Sequence, residues 1–168
     1  MTIENVDEPY GCGITSSKVP EEKMYKNPSV TCDICILSEI KDKMCILLIK
    51  RKNPPFKNSY ALPGGFLEID KEETLEETAE RELREETGVR DVRLKQLKTY
   101  GDPDRDPRKR VITVVFYATV NYNYEKDRVK AGDDAKEAKW FSLKHLPKLA
   151  FDHAKIIVDL KKKISQYE

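Results

Sequence analysis

The sequence lacks any long apolar run, and this absence excludes a helix of the usual membrane-spanning kind. Such a helix needs about 20 consecutive apolar residues, and no stretch of the 168-residue chain approaches that length. The N-terminus also lacks the basic start and the apolar core of a secretory signal peptide. We therefore expect a cytoplasmic protein that has no membrane partner.

An excess of charge of one sign is also missing. Thirty-one lysine and arginine residues balance 30 aspartate and glutamate residues, which leaves a formal net charge of +1. Proteins that bind nucleic acid usually carry a clear basic excess, so we expect no nucleic-acid partner. With 39% hydrophobic and 36% charged residues, the composition is that of one charge-rich globular domain.

Cysteine is scarce, and its spacing does not complete a metal site. Cys32 and Cys35 form a C-x-x-C pair, but no second pair accompanies them, whereas a structural zinc site needs four ligands. Their surroundings read as a strand, in which residues three apart point to opposite faces. We expect these two, together with Cys12 and Cys45, to be reduced packing residues.

Hydrophobic periodicity divides the chain into two parts. Residues 1–28 show no sustained period and are predicted to form an N-terminal arm or lead-in, while 29–168 form a single domain. Predicted strands cover 29–38, 44–51, 60–62, 93–100, 111–120 and 138–142, and predicted helices cover 73–87 and 153–165. This mixture predicts an α/β (α+β) sandwich, in which a mixed β-sheet is packed between helices.

Three carboxylates fall on the apolar side of the helix predicted for residues 73–87. At about 100° per residue, Glu82, Glu85 and Glu86 share one half of the helix with the apolar stripe, and Glu73 falls on the solvated half. Burying these charges uncompensated would be costly, and oxygen ligands at this density suit Mg²⁺ or Mn²⁺. A main-chain carbonyl from Gly64-Gly65 could complete the metal shell. The alternative is a surface helix held by pairs of opposite charge.

The segment Gly65–Val89 resembles the Nudix box, whose second half reads Arg-Glu-apolar-x-Glu-Glu-x-Gly-apolar. Residues 81–89, RELREETGV, match that half fully, and Glu73 precedes Arg81 by the expected seven residues. Seven residues rather than five separate Gly65 from Glu73, so residues 69–72 look like a stretched loop.

The resemblance implies a Nudix fold and a role for each matching position. Glu82 and Glu86 would be the principal Mg²⁺ ligands, with the Gly64 carbonyl beside them. Glu85 would be a further ligand or a water-orienting group. Arg81 would be a structural partner, and Glu73 would belong to its salt-bridge network.

The family reaction is attack of water on a nucleoside diphosphate that is linked to another moiety. The base often lies outside the box, and Asp133, Asp134 and Glu137 are the candidates here. A plain acidic turn is the alternative for this cluster.

Segments outside the box resemble the ADP-ribose pyrophosphatase branch of the family. They include 48–57, 60–66, 101–108, 131–135 and 149–153. ADP-ribose, cleaved to AMP and ribose 5-phosphate, is therefore the expected substrate. Candidate substrate-binding residues are Arg51, Phe56, Gly65, Arg105, Arg108 and Asp134, with Tyr100 as a second candidate for stacking on adenine. Surface charge and loop packing are the alternatives for these residues, and His153 is expected either to hold the last helix or to touch ligand.

Two rival hypotheses remain open at this stage. One keeps the chemistry and changes the substrate to NADH, another nucleotide sugar or an oxidised nucleotide. The other is a regulator that senses ADP-ribose without hydrolysing it. Such regulators need a DNA-binding module, and only residues 161–168 follow the closing helix, too few for a winged helix. The family resemblance also makes a homodimer a candidate assembly, with residues 1–28 as an exchanged arm.

Overall fold

The computed structural model describes residues 27–132 and 135–165. Cys12 and all but the last two residues of the arm predicted for 1–28 therefore lie outside the described residues. The strands are Ser29–Ile40 (β1), Lys43–Arg51 (β2), Tyr60–Ala61 (β3), Gly64–Phe66 (β4), Lys95–Tyr100 (β5), Val111–Thr119 (β6) and Ala135–Ser142 (β7). The helices are Leu75–Thr87 (α1), Tyr122–Glu125 (α2) and His153–Ile164 (α3).

A seven-stranded mixed sheet organises the described chain around β1. One edge of β1 pairs in parallel with β6, and its other edge pairs antiparallel with β4 near its start and with β2 near its end. β2 also pairs with β3 and β7, and β6 also pairs with β5. The expected mixed sheet is confirmed, and in the described chain β1 and β2 each pair with three other strands.

Two helices cover opposite faces of the sheet. Ala79 and Leu83 of α1 pack in one cluster with Ile34 of β1, while Ile156 and Leu160 of α3 pack in a second cluster. Residues 31–38 of β1 are all buried, as expected for a strand that is covered on both faces. The sandwich predicted from the sequence is therefore the observed architecture.

The cysteines of the described chain follow this division. Cys32 lies in the cluster under α1, and Cys35 lies in the cluster under α3. Both are free thiols, as is Cys45, and burial raises the pKa of Cys32 to about 12. The prediction that Cys32 and Cys35 face opposite sides of the sheet is confirmed.

The first hairpin is tighter than predicted. Its turn consists of Lys41 and Asp42 alone, and both have positive φ angles, of 50° and 57°. Two left-handed residues in succession match the twist of the flanking strands, so β1 runs on to Ile40 rather than ending near residue 38. β4, α2 and a short 3₁₀ turn at Ile69–Lys71 were not predicted, because each has too few residues to show a period.

α1 begins two residues later than the prediction of 73–87. Thr74 is the N-cap, and it forms a capping box in which its hydroxyl accepts from the Glu77 N–H while Glu77 accepts from the Thr74 N–H. Glu73 therefore precedes the helix. The sequence pattern had placed it on the solvated face of the helix, and that prediction is wrong. Gly88 ends the helix in the left-handed conformation, with φ of 77°.

Within the described residues, no helix is long and apolar enough to cross a membrane.

Replacing Gly88 by alanine should destabilise the fold. A Cβ there would overlap the carbonyl oxygen of Arg128, and the alanine would have to adopt a positive φ. We expect Gly88→Ala to lower the free energy of unfolding by roughly 1–3 kcal/mol in urea titrations. Gly101→Ala is the matched control, because its Cβ would meet only Ile112 at an ordinary 3.6 Å. Equal stability of the two variants would contradict this account of the helix end.

Candidate active site

A cleft of about 370 Å³ lies where β1, β2, α1 and the start of α3 converge. Its volume falls in the range of small-molecule sites. It is lined by Thr31, Asp33, Ile49, Arg51, Lys52, Asn53, Pro54, Leu62, Gly64, Gly65, Phe66, Glu68, Glu82, Glu86, Arg105, Asp106, Arg108, Val111, Phe151 and His153. The fold thus brings together most of the residues that were predicted to form the site.

Carboxylates from α1 reach the cleft on the side where β4 begins. Glu86 accepts a hydrogen bond of 2.8 Å from the Gly64 N–H, and Glu82 lies against Gly65, where a Cβ would overlap its carboxylate. Burial raises the pKa of Glu86 to about 8, partly opposed by that hydrogen bond. Burial also raises the pKa of Glu82. The cleft therefore holds two carboxylates one helical turn apart, in surroundings that penalise their charge.

Arg81 organises the carboxylates around α1. Its Nε donates to Glu73 at 2.7 Å, and its Nη1 lies 2.7 Å from Glu82 and 3.2 Å from Glu85. Its Nη2 donates to the carbonyl oxygen of Phe66 at 3.0 Å. The Arg81 hydrogen bond is the largest of the effects that bring the pKa of Glu73 down to about 2. Glu73 therefore occupies the salt-bridge position that the family resemblance implied.

Glu85 lies differently from its helical neighbours. Its side chain is 53% exposed, so the expectation that it shares the apolar side with Glu82 and Glu86 is wrong. The reason is geometric, because Leu83 and Thr87 are the buried residues of this last turn and Glu85 falls between them on the outer side. Its carboxylate still lies beside that of Glu82, since both accept from the same Arg81 nitrogen.

The donor set fits a hard divalent cation. Glu82 and Glu86 are acidic oxygen donors whose charge is disfavoured by burial, which a bound Mg²⁺ or Mn²⁺ would relieve. In the described part of the chain, no three His, Cys, Asp or Glu side chains are grouped as a metal site. The fit therefore rests on Glu82 and Glu86, the two α1 glutamates that line the cleft, with Gly64 between them and β1.

The cleft also carries cations stacked on aromatic rings. The guanidinium carbon of Arg51 lies 4.8 Å from the centre of the Phe151 ring. That of Arg108 lies 5.7 Å from the same ring and 5.4 Å from Phe66. Asp106 holds Arg108 through two hydrogen bonds, of 3.0 and 2.7 Å. Negative and positive groups thus line one cleft.

The remaining predicted site residues have other surroundings. Arg105 lines the cleft, but its guanidinium is held by Asp152 at 3.0 and 2.8 Å. Phe56 does not line the cleft and packs edge-on against Phe151, with ring centres 4.9 Å apart. Tyr100 is a core residue under α3.

Glu137 also lies apart from the cleft lining. Its carboxylate accepts from the Tyr60 hydroxyl at 2.9 Å. Asp133 and Asp134, the other candidates for the base, lie outside the described residues. The substrate-binding role expected of Asp134 therefore stays a prediction.

Sequence reasoning missed several lining residues, including Asp33, Phe66, Glu68, Asp106 and Phe151. Asp33 left a signal, because it is a charged residue inside an otherwise apolar strand, and buried charges are rare unless they are paired. Phe151 lies in the segment 149–153, which was singled out for its family resemblance, but it was not named there as a site residue. Its positive φ of 51° is a feature of the folded backbone alone.

Comparisons with known proteins give matches in sequence and in structure. The NUDIX domain model matches residues 29–160. An ADP-ribose pyrophosphatase of Methanocaldococcus jannaschii is 51% identical over 137 residues, which are 82% of this chain and 75% of that protein. The ADPR responsive transcriptional repressor NtrR of Acinetobacter baylyi is 35% identical over 77% of this chain, and the match spans about half of the repressor, 51%.

A solved structure adds a three-dimensional match. It is the NUDIX domain of Shewanella oneidensis NrtR in complex with ADP ribose. It has a TM-score of 0.78 and 29% identity, over 88% of this chain and 94% of that one.

Metal binding should depend on Glu86. At a Mg²⁺ concentration ten times the Kd, binding should stabilise the wild-type protein by about 1.4 kcal/mol, seen as a rise in Tm over the protein in EDTA. We expect Glu86→Gln to lose most of this rise, because it removes a charged oxygen donor from the cleft. Glu80→Gln, at an exposed position of the same helix, should keep it. The same Mg²⁺ response in both variants would remove Glu86 from the metal site.

Proposed function

Because the chain belongs to the Nudix family, we propose that it hydrolyses the pyrophosphate bond of ADP-ribose to give AMP and ribose 5-phosphate, with Mg²⁺ or Mn²⁺ as the metal. The relative of 51% identity is an ADP-ribose pyrophosphatase. The matched NUDIX domain of Shewanella oneidensis NrtR was solved in complex with ADP ribose. Both relatives point to the same ligand, which supports ADP-ribose over other nucleotides.

One structural observation supports the proposal most directly. The glutamates of α1 and the cation-aromatic stack of Arg51, Phe151 and Arg108 line the same cleft. A nucleoside diphosphate linked to a sugar carries its negative charge in the middle, between two uncharged groups. A cleft that holds both arginines and metal-binding carboxylates suits such a molecule.

Glu82 and Glu86 would hold the metal, with the Gly64 carbonyl as a main-chain donor. The metal, when bound, would neutralise pyrophosphate charge and help to generate the attacking water. Gly65 allows Glu82 to approach the backbone closely, since a side chain there would overlap the carboxylate. Arg81 keeps Glu82 in place through its 2.7 Å hydrogen bond.

Arg51 and Arg108 would bind pyrophosphate oxygens. Arg108 is positioned by Asp106, and Arg51 donates from Nε to the Pro55 carbonyl at 2.8 Å. Both keep further guanidinium N–H groups for a ligand. Arg105 is already engaged by Asp152, so we assign it to the support of the cleft wall. Phe56 would act through Phe151, whose ring it contacts.

We assign the water-orienting role to Glu85. Its carboxylate is half exposed, and it lies beside Glu82 on the shared Arg81 nitrogen. Neither Glu85 nor Glu137 is among the residues that line the cleft. Glu85 shares an Arg81 nitrogen with Glu82, which does line it, whereas the carboxylate of Glu137 accepts from Tyr60. The cytoplasmic location and the homodimer stay proposals, and light scattering on the purified protein tests the second.

A substrate panel tests the proposed activity. We expect purified protein with Mg²⁺ to convert ADP-ribose to AMP and ribose 5-phosphate faster than it converts NADH, other nucleotide sugars or 8-oxo-dGTP, as measured by chromatography of the products. Faster turnover of another compound would reject only the substrate. Tight ADP-ribose binding without turnover of any compound would reject the enzyme and favour the sensor.

Paired variants separate the two candidate bases. Glu85→Gln should lower kcat by roughly 10²–10⁴-fold, the usual contribution of a positioned acid or base, with little change in KM. Glu137→Gln should leave kcat within a few-fold of the wild-type value, because its carboxylate is directed at Tyr60. The reverse pattern would move the role to Glu137.

A further inference from the structure

A ring of four buried or half-buried groups forms part of the cleft wall, because Asp33, Arg105 and His153 are among the lining residues. Asp33 Oδ2 lies 3.5 Å from Arg105, and Asp33 Oδ1 lies 3.6 Å from His153 Nε2. Arg105 is held by Asp152, which precedes His153 in the chain. The ring joins β1, the loop before β6 and the first turn of α3, and no step of the proposed reaction uses it directly.

His153 connects this ring to the backbone of the cleft. Its Nδ1 accepts a hydrogen bond of 2.9 Å from the Leu62 N–H. Because Nδ1 accepts, the ring proton of the neutral imidazole lies on Nε2, the atom that faces Asp33. Asp33 is itself fixed, since it accepts from the Thr113 hydroxyl at 2.7 Å. The imidazole is therefore oriented from one side and acts on the backbone from the other.

Leu62 lies where the sheet pairing of its own segment is interrupted. β3 ends at Ala61 and β4 begins at Gly64, so neither strand supplies an acceptor for the Leu62 N–H. Pro63 has no N–H, and its carbonyl accepts from the Ile34 N–H at 2.8 Å. Leu62 is only 2% exposed. Without His153 its N–H would be buried without an acceptor, and the turn would have to shift toward water.

The turn that follows Leu62 presents the Gly64 peptide to the cleft. Gly64 donates to Glu86 at 2.8 Å, and it is paired in register with Asp33 of the same ring. Gly64 is only two residues after Leu62, so a movement at Leu62 would displace the Gly64 N–H and, through its hydrogen bond, affect Glu86.

We propose that His153 is a positioning residue, which holds the Leu62 N–H and thereby fixes the Pro63–Gly64–Gly65 turn against Glu86. Asp33, Arg105 and Asp152 keep the imidazole in the orientation that this contact needs. The inference rests on the proposed function, because the position of the turn affects catalysis only if Glu86 and Gly64 belong to the catalytic centre.

Two amide substitutions at residue 153 test the proposal. In His153→Asn the amide oxygen takes the place of Nδ1 and can accept from Leu62, whereas His153→Gln places its amide near the position of Nε2 and cannot. We expect His153→Gln to lower kcat by roughly 10- to 100-fold, the order of loss that small misplacements cause. His153→Asn should stay within a few-fold of wild type. KM should change little in either variant, because Arg51 and Arg108 are untouched.

Hydrogen exchange at the Leu62 amide supplies a second measurement that needs no substrate. Exchange should be faster in His153→Gln and close to the wild-type rate in His153→Asn. An Asn variant that is unfolded, or that matches the Gln variant in kcat or in exchange, overturns the proposal. Wild-type protein that is inactive on every substrate would overturn the proposed function instead, while the exchange contrast would still decide whether His153 holds the turn.

Discussion

Arg81 donates hydrogen bonds from all three nitrogens of one guanidinium group, and its partners come from three segments of the chain. Glu73 precedes α1, Glu82 and Glu85 lie on it, and the Phe66 carbonyl belongs to β4. Carboxylates this close together repel one another unless a cation lies among them. The planar fork of arginine satisfies several of them at once with fixed directions. Arg81 therefore holds α1, the loop before it and β4 in one fixed arrangement.

That arrangement separates two kinds of carboxylate on the same helix. Glu82 is compensated by the Arg81 guanidinium, whereas the hydrogen bond to the carboxylate of Glu86 comes from the uncharged Gly64 N–H. The high pKa of Glu86 expresses this imbalance. A protein keeps such a group at a cost in stability, which is reasonable where a metal ion compensates the charge during function. The ring formed by Asp33, Arg105, Asp152 and His153 differs from Glu86 in this respect, because the charges of Asp33, Arg105 and Asp152 compensate one another without any ligand.

The sequence predicted the parts of this molecule that repeat or that match a motif. Long strands such as β1, β2 and β6 have enough residues to show their pattern, and the RELREETGV segment placed Glu82 and Glu86 correctly. It could not predict contacts that depend on tertiary structure. Asp33 and His153 are 120 residues apart in the chain, and only the packing of α3 against β1 brings them together. Glu85 was misplaced because the apolar half of the helix was drawn too wide, since Leu83 and Thr87 are the buried residues of the last turn and Glu85 faces away from them.

The loop between β4 and α1 illustrates how the fold accommodates variation in length. Residues 66–72 number seven where the box has five, and lengthening a flexible loop by this much costs only about 0.3 kcal/mol in closure entropy. Both ends are anchored separately, at Phe66 by its pairing with Thr31 and at Glu73 by Arg81, while Ile69 between them is 79% exposed. Additional residues are therefore absorbed outside the framework that holds the glutamates. The same property makes this loop a suitable attachment point for a reporter group near the cleft mouth.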